Sequence, residues 1–161
     1  MTAKQNYSAN LSKGTYTIAS STQARAQADS KENEDCLLVD RSNHFVGVFD
    51  GVGGRGNGRL ASHSAVQTIH DGWKRLSVSA YIADQEYLQS ILQDLLQQAH
   101  QRILQAFQGQ MSPPEKQTSQ KQPATTAAIA VLYDRIVGTG SFLTYAHVGD
   151  SRIYLFNLFS V

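Results

Sequence analysis

The chain has 161 residues, 41% of them hydrophobic, enough for one domain with a real core and too short for two typical ones. Its 14 basic and 13 acidic residues nearly cancel, so charge gives no reason to expect a nucleic-acid or anionic-membrane partner. The single cysteine, Cys36, allows no internal disulfide, and residues 1–10 lack the apolar core of a signal peptide. The longest apolar run, Ala127 to Tyr133, falls far short of the roughly 20 residues that span a bilayer. A cytoplasmic domain without membrane contact is expected.

Residues 1–14 are polar and read as a flexible N-terminus, with the domain proper at 15–161. Thr15 to Ala19 can form a strand. Cys36 to Val39 and Phe45 to Phe49 are short and rich in strand formers, and Asp40-Arg41-Ser42-Asn43 between them has turn chemistry, which predicts a hairpin. The segment 50–58 carries five of the chain's 12 glycines and is expected to be a loop. A helix should follow over 59–76, with Ala61, Ala65, Ile69 and Trp73 on one face. A second is predicted over 84–107, capped by Asp84, with Leu88, Ile91, Leu92, Leu95, Ala99, Ile103 and Phe107 as its stripe. Residues 108–123 hold all three prolines and read as a surface linker. Strands are predicted at 125–133, 142–148 and 152–156, with Gly149-Asp150-Ser151 turning between the last two. Strands, two helices, then strands favour an α+β layering over alternating βαβ units.

One arrangement carries chemistry. With the hairpin turn centred near Arg41-Ser42, Glu34 falls almost opposite Asp50, where Cβ atoms lie ~4.5–5.5 Å apart. Carboxylates that close repel unless a cation neutralises them, and Asp35 adds a third. Gly51, lacking a Cβ, can present its carbonyl oxygen to the same point. Carboxylates, a carbonyl and water suit a hard ion such as Mg²⁺ or Mn²⁺. The plainer alternative is that Asp50-Gly51 is a turn and Glu34-Asp35 a solvated strand start.

Glu32-Asn33-Glu34-Asp35, Val48-Phe49-Asp50-Gly51-Val52-Gly53-Gly54, Thr125-Thr126 and Val148-Gly149-Asp150-Ser151-Arg152 occur in this order. Together they resemble the successive motifs of the PPM-type (type 2C) metal-dependent serine/threonine phosphatases, especially bacterial members, over about residues 15–156. The resemblance implies an αββα sandwich, of which this chain would form part. It implies a site with two Mg²⁺ or Mn²⁺ ions that activates water against phosphoserine and phosphothreonine in a phosphoprotein substrate. Asp50 would bridge both ions, Gly51 would give its carbonyl to one, Glu34 would bind directly or through water, and Asp35 would stand behind them. Asp150 matches an aspartate that contacts a third, weaker ion in several members. Cys36 is not placed as a nucleophile.

Three departures accompany the resemblance. Where the family carries an arginine that clamps the substrate phosphate, this chain has Ser30, with Lys31 beside it as a point charge. Position 52 is valine, where many eukaryotic members have a histidine. The chain ends at Val161, while the family pattern continues to two more metal-binding aspartates, so a truncated domain is expected, poor at folding alone. The early end and Ser30 favour an alternative, a catalytically inactive phosphatase fragment that acts as a binding module. A third reading takes Gly51-x-Gly53-x-x-Gly56, with Asp71 about 20 residues on, as a nucleotide-binding loop, which would need a βαβ unit. The five histidines show no short metal-ligand spacing, and nothing in the sequence specifies an oligomer.

Overall fold

The computed structural model describes residues 3–11, 14–22, 33–52, 57–80, 85–110, 122–134 and 141–155. In chain order the elements are β1 (Ala3–Leu11), β2 (Gly14–Thr22), β3 (Cys36–Asp40), β4 (Phe45–Phe49), β5 (Gly51–Val52), α1 (Asn57–Ala80), α2 (Gln85–Gln110), β6 (Ala124–Thr125), β7 (Ala127–Asp134) and β8 (Ser141–Val148). β3, β4, β7 and β8 form a four-stranded sheet in the order β3-β4-β7-β8, and each of its ladders is antiparallel. β5 and β6 pair separately, as do β1 and β2. The architecture is α+β, a helical layer on one face of an antiparallel sheet, in keeping with part of a PPM-type phosphatase fold.

Period-2 alternation sets the two faces of the sheet. Phe45 and Phe49 of β4, with Ile129 and Val131 of β7, are buried toward the helices, whereas Val46 and Val48 turn the other way. α1 lies against β3, β4, β5 and β6, and α2 packs on α1 and β8. Each residue of the two predicted helical stripes is buried. The small side chains of Ala61 and Ala65 let α1 approach closely, and further along Trp73 stacks on Phe45 with ring centroids 4.8 Å apart.

The opposite face is less covered. Ala19 and Ser20 of β2 and Ile153 line a cleft of about 290 Å³ over Leu37, Val39 and Ala130. Val48 and Tyr145, also on that face, remain about half exposed.

Several boundaries differ from expectation. The stretch 1–14, read as a flexible N-terminus, contains β1, which pairs with β2 along its length. A polar strand shows no hydrophobic signal, yet its backbone groups pair as well as those of an apolar one, and the two residues separating Leu11 from Gly14 suit a tight hairpin. Residues 152–155 form no strand, since the bend at Gly149-Asp150 does not fold them back along β8. α2 runs to Gln110, into the stretch assigned to the linker. Pro123 is buried and Gln122 exposed, while residues 111–121 of that linker, like Asp84, lie outside the described residues. All ladders among the described residues are antiparallel, so the βαβ unit needed for a dinucleotide fingerprint is absent there, and Asp71 is exposed on α1. No helix of the described residues is long and apolar enough to cross a membrane.

Candidate metal centre

The hairpin register decides which acidic residues meet. Cys36 pairs with Phe49 and Asp40 with Phe45, so the loop is Arg41–His44 and its centre falls one residue later than Arg41-Ser42. Two features hold the loop in this shifted position. Asp40 closes it, accepting the Asn43 backbone N–H on Oδ1 (3.1 Å) and the Asn43 amide on Oδ2 (2.7 Å). His44 takes a φ of 50°, a left-handed conformation in which histidine is enriched among non-glycine residues. The direct apposition of Glu34 and Asp50 is thereby corrected. Extending the ladder brings Asp35 across from Asp50 and Glu34 across from Gly51.

The Glu34 segment is shaped from three sides. Asn33 Oδ1 accepts the Asp35 N–H (3.1 Å), and Asn33 Nδ2 donates to Thr22 Oγ1 (2.7 Å), which ties the segment to β2. The fully buried Ser62 of α1 donates its hydroxyl to the Glu34 carbonyl (2.6 Å). At the start of α1, Gly58 packs backbone to backbone on Gly51. A Cβ on Gly58 would stand 2.7 Å from the Gly51 carbonyl oxygen and 2.8 Å from Glu34 Oε2. Those two oxygens therefore converge on the space that the missing side chain leaves. Glu34 Oε1 is buried without a hydrogen-bond partner among the described residues. A buried, unpartnered carboxylate oxygen is costly, and the positive end of the α1 dipole beside it offsets only part of that cost.

Asp50 sits at a break in the central ladder. It is exposed between the buried Phe49 and Gly51, so the pleat turns its side chain away from the helices. β4–β7 and β5–β6 share one register, and in it the residue opposite Asp50 is Thr126. Thr126 N–H donates to the Asp50 carbonyl (2.9 Å) in the regular way. The Asp50 N–H instead donates to the Thr126 side-chain oxygen (3.1 Å), and Thr125 Oγ1 also reaches the Asp50 carbonyl (3.1 Å). Asp150 lies exposed on the bend after β8, where Gly149 has a φ of 89°.

Glu34 and the Gly51 carbonyl thus come together beside α1, while Asp50 and Asp150 flank Thr126. Among the described residues no three His, Cys, Asp or Glu side chains gather as a ready metal cluster. Ser30 and Lys31 lie outside the described residues. Val52 is 54% exposed next to the site and has no proton to give. Burial pushes the Cys36 thiol up, against a smaller opposing effect of a backbone hydrogen bond, so it is a poor thiolate.

Sequence reasoning quoted Thr125-Thr126 only as a motif and overlooked Ser62. Two adjacent hydroxyls just before an apolar strand were the available signal for the former; for Ser62 there was none beyond its place among alanines. It also overlooked the link from Asp40 Oδ2 to His70 Nε2 (3.2 Å), which fastens the β3–β4 loop to α1. Burial raises the Asp40 carboxyl, but hydrogen bonds from Asn43 and the neighbouring His70 outweigh this and hold it below its usual range.

The protein phosphatase 2C family model matches residues 22–157, most of the chain. No curated protein is similar enough to match it. The order of motifs, the sheet with its two helices and this match agree, and the chain belongs to the protein phosphatase 2C family.

Proposed function

We propose that the chain serves metal-dependent hydrolysis of phosphoserine and phosphothreonine in proteins, with Asp50, the Gly51 carbonyl and Glu34 as its contribution to the metal site. The observation that carries this reading is the convergence of Glu34 Oε2 and the Gly51 carbonyl on the space above Gly58, with Glu34 Oε1 buried and without a partner among the described residues. Such a donor set, all oxygen, fits Mg²⁺ or Mn²⁺. Bound there, the ion would acidify water toward neutral pH and offset charge building on phosphoryl oxygens.

The chain's own residues do the placing. Ser62 and Asn33 fix the backbone on either side of the Glu34 carboxylate, and Gly58 keeps its approach open. Thr125 and Thr126 hold the Asp50 backbone. Asp35, across from Asp50 in the extended β3–β4 register, would support the ligands from behind, and Asp150 is the exposed carboxylate of the neighbouring bend. Lys31 is the cation nearest in sequence to the position of the family's phosphate clamp.

Mn²⁺ binding followed by electron paramagnetic resonance tests the reading. Wild type should bind saturably and weakly, Asp50→Asn and Glu34→Gln should each weaken binding by at least about tenfold, and p-nitrophenyl phosphate turnover should be slight. Absence of saturable binding, or binding indifferent to both substitutions, would refute it. A second reading, a catalytically inactive phosphatase fragment that acts as a binding module, is favoured by Ser30 at the clamp position. It predicts no turnover of p-nitrophenyl phosphate even when Mn²⁺ saturates the site.

A further inference from the structure

β4, β7 and β8 run side by side toward the site, and Thr126 sits at the junction of β6 and β7, in line with the middle one. Extending the β7–β8 register by one pair sets Gly149 across from Thr126, just as Asp50 is across from it on the other side. Both neighbours touch the Thr126 side chain. Its Oγ1 accepts the Asp50 N–H at 3.1 Å and lies 2.5 Å from Ser151 Oγ. Its Cγ2 stands 2.8 Å from where a Gly149 Cβ would be, and that glycine's positive φ independently disfavours a side chain there. Thr126 is buried.

The hydroxyl therefore does two jobs at once. In a regular antiparallel pair that exchanges both hydrogen bonds, the Asp50 N–H would go to the Thr126 carbonyl. Here the hydroxyl takes it, and the Thr126 carbonyl accepts Thr125 Oγ1 instead (2.9 Å). That exchange marks the point where β4 gives way to β5. With one lone pair used by the Asp50 N–H, the Thr126 hydroxyl also shares a hydrogen bond with Ser151 Oγ, in which either oxygen can be the donor.

We propose that Thr126 is a positioning residue that couples the Asp50 strand to the Gly149–Asp150 bend, so that the two carboxylates are held at one fixed relation. Its bearing on metal affinity rests on the reading of Asp50 as a metal ligand; the coupling itself does not. Because Asp50 and Thr126 are 76 residues apart and Thr126 and Ser151 25 apart, no local turn can supply this relation.

Amide hydrogen exchange and backbone resonances of the metal-free chain, together with Mn²⁺ titration well below the melting temperature, test the proposal on three variants. Thr126→Val keeps shape and removes the hydroxyl, Thr126→Ser keeps the hydroxyl, and Ser151→Ala removes only the partner. In Thr126→Val, protection of the Asp50 amide should fall about tenfold, the loss of one hydrogen bond, and the resonances of residues 149–151 should shift. Thr126→Ser should restore the Asp50 protection. Ser151→Ala should shift the Asp50 amide resonance through Thr126. The Mn²⁺ dissociation constant should rise about 10- to 100-fold in Thr126→Val, as when the support of a ligand is lost, and little in Thr126→Ser. If Thr126→Val leaves Asp50 protection unchanged, or Ser151→Ala leaves the Asp50 amide unmoved, the coupling is overturned. If wild type binds Mn²⁺ and Thr126→Val binds it equally well, the positioning role is overturned. If the amide effects occur in a wild type that binds no Mn²⁺, the coupling stands and the metal reading fails.

Discussion

Replacing Gly51 with alanine would place a methyl carbon 2.3 Å from the Gly58 carbonyl oxygen and 2.4 Å from that of Glu34. Both distances lie about 1 Å inside ordinary contact. Neither oxygen can swing aside. The Glu34 carbonyl is held by the buried Ser62 hydroxyl, and the Gly58 carbonyl belongs to the first turn of α1. The helix must therefore lift from β5, at a cost of about 3 kcal/mol, the upper end for overpacking. For a chain of this size that lowers the melting temperature by roughly 6–12 °C. Gly72→Ala is the internal comparison. Its new Cβ would meet Leu95 Cδ2 at 2.3 Å, the far end of a side chain that can turn, and alanine gains about 1 kcal/mol over glycine inside a helix. Urea unfolding followed by fluorescence of Trp73, the chain's single tryptophan and a buried one, reads both. Gly51→Ala should lower the midpoint strongly and Gly72→Ala much less, with slopes unchanged. A Gly51→Ala variant within about 0.5 kcal/mol of wild type, or the reverse ranking, would refute the close-packing argument.

The Asp40 carboxyl is held below its ordinary 3.8, so its contribution is fully present above that value and is lost as pH falls through the lower, folded value. Asp40→Asn should cost roughly 1.5–3 kcal/mol near neutrality, and its deficit relative to wild type should narrow only below pH 3.8, read by denaturant midpoints across pH. Val48 and Tyr145 leave apolar area open on the face away from the helices, so the chain should bind a hydrophobic dye and self-associate. Val48→Thr with Tyr145→Ser should reduce both signals, and undiminished dye binding in that double variant would place the apolar surface elsewhere.

The helices were the most legible part of the sequence, because their burial repeats at helical spacing and nothing else there competes with it. All eleven stripe positions, from Ala61 to Phe107, are buried. The β3–β4 hairpin was legible as a hairpin but not in register. Its register turns on a one-residue shift of the loop, from Asp40–Asn43 to Arg41–His44, and that depends on Asp40 capping Asn43 and on His44 taking a positive φ, neither of which hydrophobic pattern encodes. β1 was invisible because its side chains are polar and strand pairing is a property of the backbone. At the site, residue types pointed to Glu34 and Asp50, but which oxygens converge follows from tertiary packing. Gly58 and Ser62 shape the Glu34 side from α1, far along the chain, and no local pattern ties them to it.

The break at Asp50 has a kinetic meaning. The Asp50–Thr126 link closes an excursion of more than 70 residues that contains both helices. Were that excursion structureless, closing it would cost roughly 4 kcal/mol in chain entropy. Folding α1 against α2 first shortens the effective loop, since the two are neighbours in the chain and pack on each other. The β3–β4 hairpin and the helical pair can each form from neighbouring residues, whereas the strand that carries Thr126 arrives only after both. Assembly of the site is then the last act of folding, and a probe placed at Thr126 should report a later phase than Trp73 does.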